Sequence, residues 1–122
     1  MSDAIHRGDL YWLSLPRPGA VDRPHPHVVV QDDVFNHSRI DTVVVCALTT
    51  NLHRATEPGN VLLDEGEGGL PRQSVVVVSQ IASVAKADLG EPLGRLADAR
   101  VDQILDGLRF QQRSFGRSQR RR

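Results

Sequence analysis

Pro24-His-Pro-His-Val-Val-Val-Gln-Asp-Asp33, read with Thr42-Val-Val-Val-Cys-Ala-Leu-Thr-Thr-Asn51, decides the fold. The first run passes from a stiff, histidine-bearing loop into an apolar strand, Val28 to Gln31. The second ends the apolar stretch Val43 to Leu48 on Thr49, Thr50 and Asn51. β-Branched side chains pack well on a pleated, buried surface, so both runs read as inner strands of a sheet. Asn36-His37-Ser38 between them carries turn chemistry, because short polar side chains bond back to nearby backbone. Two buried strands that stop in polar, phosphate-friendly side chains point to one shared surface site.

Working outward, Gly8 to Leu15 has aromatic and aliphatic side chains on both faces, as a strand does when it is covered on both sides. Pro16 to Pro26 holds four prolines and one glycine, which forbid ladder pairing through most of the segment and make it a surface loop. Asn60 to Leu63 is a shorter strand candidate, followed by the acidic, glycine-rich loop Asp64 to Gly69. Ser74 to Gln80, with four consecutive valines, predicts a central strand that Ile81 to Val84 extends or bends away. Pro92 and Gly94 break the chain before the last element. There Val101, Ile104, Leu105 and Leu108 recur at i, i+3, i+4 and i+7 and stripe one helical face. Asp98 and Asp102 suit its first turn and Arg109 and Arg113 its last, by the sign of the helix dipole. The expected fold is mainly β with a C-terminal helix. Phe35 is expected to pack against the sheet, and Phe110 and Phe115 extend apolar surface beyond the stripe.

A chain of 122 residues that is 39% hydrophobic fits one core, since two would each be marginal. One domain over residues 1–115 and a basic, unstructured tail over 116–122 are expected. The 15 basic and 15 acidic residues cancel, but five arginines lie at 113, 117, 120, 121 and 122, leaving ten basic against 15 acidic, net −5, for residues 1–112. A body of that sign repels phosphate at long range, so any nucleic-acid contact must rest on a local patch, which excludes a general DNA-coating role. The single cysteine, Cys46, cannot form an internal disulfide and reads as a small buried side chain. No segment has the apolar length of a signal peptide or a membrane span, so a cytoplasmic, non-membrane protein is expected.

His25 and His27 alternate with Pro24 and Pro26, so in an extended backbone both imidazoles point to one side and neither wanders far. Imidazole titrates near neutrality and can take a proton from one oxygen and return one to another. Thr49, Thr50 and Asn51 supply hydroxyl and amide donors at a strand end, and Gln80 supplies a further amide. Arg23, Arg39, Arg54 and Arg72 are the guanidinium groups available to a phosphate. The histidine pair with Asp32, Asp33 or His37 would make a weak metal site, but no recognised ligand spacing supports it and none is assigned. Aromatics are only 4% of the chain, which rules out a broad stacking platform for bases.

The ordered set Gly8-Asp9-Leu10-Tyr11-Trp12, Pro26 to Gln31, Ala47-Leu48-Thr49-Thr50, Gly69-Leu70 with Ser74-Val75-Val76, Gln80-Ile81, Lys86, Leu89-Gly90-Glu91 and Gly94-Arg95-Leu96 resembles the PemK/MazF family of toxin ribonucleases. The resemblance implies a small SH3-like barrel of the MazF/CcdB/Kid type, a homodimer, and metal- and cofactor-independent cleavage of single-stranded RNA to a cyclic phosphate and a free 5′-hydroxyl. It also implies a cognate antitoxin peptide as partner. By position, Thr49 falls on the family's catalytic threonine, His25 on its arginine, and Ser79 where an acidic residue often precedes the glutamine. His25 and Thr49 are thus the expected catalytic pair, with Arg23, His27, Thr50, Asn51 and Gln80 on the RNA. The replaced arginine and acid motivate a second expectation, an inactive homologue or a non-catalytic module that grips a protein target, as the gyrase-poisoning relatives of this fold do. Sheet edges that need cover agree with pairing of two copies.

Overall fold

The computed structural model describes residues 4–15 and 23–120, with side chains to residue 113. Six strands form one antiparallel, curled sheet: β1 (Asp9–Leu13), β2 (His25–Val29), β3 (Thr42–Thr49), β4 (Val61–Leu63), β5 (Ser74–Ala85) and β6 (Pro92–Arg95), in the order β4-β5-β3-β2-β1-β6. A single-turn helix, α1 (Asp33–Asn36), links β2 to β3, and the long helix α2 (Asp98–Arg120) closes the chain. Among the described residues no helix is long and apolar enough to cross a membrane.

The valine runs do not alternate with polar residues because the curled sheet buries both its faces. Val28, Cys46 and Val76 join Leu10, Ile104 and Leu108 in a core between sheet and α2, whereas Val29, Val43 and Val45 face Leu13 and Val84 in a second cluster on the other side. The expected helical stripe divides accordingly, with Ile104 and Leu108 buried and Val101 and Leu105 packed at the rim. Burying each of those two side chains contributes about 2 kcal/mol.

Several boundaries differ from the sequence reading. β2 begins at His25, ahead of Val28, because Pro26 stands opposite Trp12 of β1 while the β3 ladder starts only at His27↔Ala47. A proline without an N–H is tolerated where no second ladder needs it. Residues 16–22 of the expected loop lie outside the described residues. The Asn36-His37-Ser38 turn is the end of α1, whose N-cap Asp32 accepts the Val34 N–H. Phe35 does not pack against the sheet; it is 50% exposed.

β6 was not expected at all. As an edge strand paired only with β1 it accommodates Pro92, and Gly94 is required because a Cβ there would stand 2.6 Å from the Gly68 carbonyl oxygen. β5 lies beside the centre, which β3 and β2 occupy. Its first half is buried, while from Ser79 onward it is a half-exposed edge. α2 continues to Arg120, into the segment 116–122 for which an unstructured tail was expected. Glutamine and arginine propagate a helix readily.

β5 extends through Val84, but only across an irregularity. The β3–β5 register steps from Cys46↔Ile81 to Leu48↔Val76, so Val77 to Gln80 leave the ladder. Side chains take over the stranded backbone groups. The Cys46 thiol donates to the Val77 carbonyl at 3.0 Å, and Asn60 Oδ1 accepts the Val78 N–H at 3.0 Å. Burial pushes the Cys46 thiol up to about 12, in keeping with a side chain that packs and does not react.

Candidate functional site

The bulge in β5, the end of β3 and the start of β2 meet in a cleft of about 600 Å³. The β2–β3 register explains which side chains enter it. His27 stands opposite Ala47, so two residues back and two residues on, His25 and Thr49 project from the same face of neighbouring strands. His25, His27, Thr49 and Gln80 all line the cleft, with Leu48 and Ala82 among its apolar walls.

His27 is only 3% exposed, and its Nδ1 lies 2.9 Å from the His25 carbonyl oxygen. A carbonyl only accepts, so the ring donates from Nδ1 in that contact. His25, one residue beyond the proline, is exposed. The Thr49 hydroxyl oxygen accepts the Asn51 N–H at 3.1 Å, which orients the side chain and leaves its proton for an external acceptor.

Arg54, one of four candidate arginines in the sequence reading, also lines the cleft. It arrives there because Asn51 caps the 3-10 turn Leu52–Thr56, accepting the His53 N–H, and the turn swings the guanidinium back over the strand end. Arg54 Nε donates to both oxygens of Glu57 at 3.1 Å, and Asn60 Nδ2 donates to the Arg54 carbonyl and to Glu57 Oε1, each at 3.0 Å. That hydrogen bond from Arg54, with its charge and the Asn60 amide, holds the Glu57 carboxyl below the usual carboxylate range. Asn60 therefore ties the turn bearing Arg54 to the bulge bearing Gln80.

The other expected contacts lie elsewhere. Arg23, Thr50 and Asn51 are exposed and do not line the cleft, although Asn51 shapes it through its cap. Asp33 and His37 do not approach the His25–His27 pair; they gather with His6 beside α1. Arg39 and Arg72 are likewise exposed away from it. The acidic loop is a structural latch: Glu67 makes two bonds of 2.9 Å to Arg100 of α2.

A curled half-barrel carries two imidazoles, a hydroxyl, an amide and a guanidinium in one concavity, with no carboxylate among its described lining residues, a lining whose groups suit an anionic ligand. Comparison with known proteins makes the class specific. Residues 6–111 match the family described as the PemK-like, MazF-like toxin of type II toxin–antitoxin systems, and the chain belongs to that family. It is 36% identical over 107 residues to endoribonuclease MazF6 of Mycobacterium tuberculosis, covering 86% of this chain and 94% of that protein. It is 30% identical over 108 residues to endoribonuclease EndoA of Bacillus subtilis, covering 87% and 92%. Among solved structures, a mycobacterial endoribonuclease in complex with its cognate antitoxin superposes with a TM-score of 0.69 at 27% identity, over 86% of this chain and 91% of that one. MazF from Deinococcus radiodurans has the same TM-score at 19% identity, over 88% and 94%, and supports the fold alone.

Proposed function

We propose that this chain is the toxin of a toxin–antitoxin pair and cuts single-stranded RNA in the cytoplasm by metal-independent transesterification in the His25–Thr49 cleft. The observation that carries the reading is the convergence of His25, His27, Thr49 and Arg54 on one concave surface within a body that is otherwise net acidic. His25 takes the proton of a 2′-hydroxyl as that oxygen attacks phosphorus, and the imidazole returns a proton to the departing 5′-oxygen. Thr49 donates to a non-bridging oxygen of the scissile phosphate. Charge gathering on those oxygens is met by Arg54, which stands in for the arginine that His25 replaces. His27 and Gln80 hold the strand at the cleft, while Arg23, Thr50 and Asn51 meet RNA beyond it. The products are a cyclic phosphate and a free 5′-hydroxyl.

A second copy of the chain covers an open sheet edge, and a cognate antitoxin segment occupies the cleft in the inhibited state; the mycobacterial endoribonuclease solved with its antitoxin supports this reading. Purified protein is expected to cleave single-stranded RNA in excess chelator, with His25→Ala slowed by about 10² or more. Cleavage that is undiminished in that variant rejects His25 as the proton carrier. No cleavage by the unmodified protein, together with tight binding to a protein target, supports the non-catalytic module instead.

A further inference from the structure

His6, Asp33 and His37 form the other cluster of potential ligands among the described residues, and none of them lines the cleft. One ligand atom from each lies within 4.8 Å of the other two. Asp33 opens α1 and His37 is its C-cap, so a single helical turn stacks them on one face. His6 approaches from the turn ahead of β1, its ring edge-on to that of His37 with centroids 4.7 Å apart and its Nδ1 3.8 Å from Asp33 Oδ2.

The atoms that would not bind a metal are already engaged. His37 Nε2 lies 2.9 Å from the Ile5 carbonyl oxygen, which only accepts, so the proton is on Nε2 and the lone pair on Nδ1. Asp33 Oδ1 accepts the Arg7 N–H at 2.7 Å and Asn36 Nδ2 at 3.0 Å, leaving Oδ2 toward His6. Asn36 is itself buried and held by Gln31, which fixes this support. A histidine anchored through its second nitrogen and a carboxylate anchored through its second oxygen are the supports that orient ligands around metals.

We propose that His6, Asp33 and His37 bind one first-row divalent cation, of which zinc best suits two imidazoles and a carboxylate. Ligands about 2.0–2.1 Å from a tetrahedral zinc stand roughly 3.3 Å apart, close to the 3.8 Å between His6 Nδ1 and Asp33 Oδ2, and the partly exposed His6 has room to turn toward the anchored His37 and Asp33. Water takes the fourth position. The ion joins the chain ahead of β1 to the β2–β3 connection, so its effect is on stability, and it is independent of the RNA chemistry. Spacing alone pointed away from a metal because His6 is distant in sequence from the other two ligands and meets them only in the folded chain.

Metal-stripped full-length protein titrated with zinc chloride in a calorimeter is expected to take up one zinc per chain. Saturation at about 100 times Kd should raise the unfolding midpoint by more than about 5 °C. Cobalt(II) should give the intense visible absorption of a four-coordinate site. His6→Gln and His37→Gln, each confirmed as folded by circular dichroism, should weaken zinc binding at least tenfold, whereas His53→Gln should leave it unchanged. Absence of saturable zinc binding overturns the proposal, and so does zinc uptake that both cluster variants retain at full affinity, since the ion would then sit elsewhere.

Discussion

At the scale of single residues the cleft depends on one charge that arrives from an unexpected place. An imidazole at position 25 does not supply the permanent positive charge of a guanidinium, so Arg54 has to meet the charge that collects on phosphate oxygens. Arg54→Ala is expected to lower kcat/KM on a single-stranded oligonucleotide by about tenfold to a hundredfold, with Arg54→Lys recovering part of the loss. The slope of log binding against log salt should shallow by about 0.7, the share of one phosphate contact on a single strand. Equal rates and equal salt slopes for Arg54→Ala would refute its role. His25, His27 and Thr49 were legible as neighbours because strand alternation is a local rule that needs only a few residues, whereas Gln80 was read only as a strand-end amide and reaches the cleft from the bulge, where alternation fails. Arg54 was one arginine among four, since its placement depends on Asn51 capping a turn whose direction no periodicity encodes.

At the scale of elements, the valine runs and the i, i+3, i+4, i+7 stripe announced the inner strands and α2, because burial dictates both patterns. β6 stayed hidden, since Pro92 and Gly94 read as breakers until β1 and the Gly68–Gly69 turn are seen to accept them. Gly107 shows the same effect inside α2. Replacing a mid-helix glycine by alanine ordinarily stabilises by about 1 kcal/mol. Here a Cβ would stand 2.1 Å from the Gly59 carbonyl oxygen, and Gly59, at φ +83°, has little room to yield. Gly107→Ala is therefore expected to destabilise by about 1–3 kcal/mol in urea unfolding, through displacement of the helix. A stabilised variant would show that α2 does not seat against this turn. Asn60 makes the complementary case for the bulge: Asn60→Ala strands the Val78 N–H and releases Arg54, so a loss of about 2 kcal/mol should accompany slower RNA cleavage. Activity that survives a full loss of that stability would separate the bulge from the site.

At the scale of the whole molecule, closure of the half-barrel rests on a carboxylate. β4 and β6 are the two ends of the sheet, and the turn Glu67–Gly69 brings them together by packing on β6 while Glu67 grips Arg100 of α2. Three glycines permit that approach, at φ +92° for Gly66, +58° for Gly68 and +81° for Gly69. The acidic loop thus serves the fold. The Arg100 hydrogen bonds, and after them the Asp64 N–H, hold the Glu67 carboxyl below its ordinary 4.5. Because the folded value is the lower one, the contribution is complete above about pH 4.5 and disappears as pH falls through Glu67's depressed value. With both partners about a quarter exposed, at 28% and 26%, the pair is worth about 1–2 kcal/mol. Arg100→Gln should therefore unfold at lower urea than the parent at pH 7 and at pH 5, and the gap between them should narrow steadily below pH 4.5. A gap that persists undiminished at pH 3 would mean that Arg100 supports the helix through its packing, and that the turn is held against β6 by the glycine contacts alone.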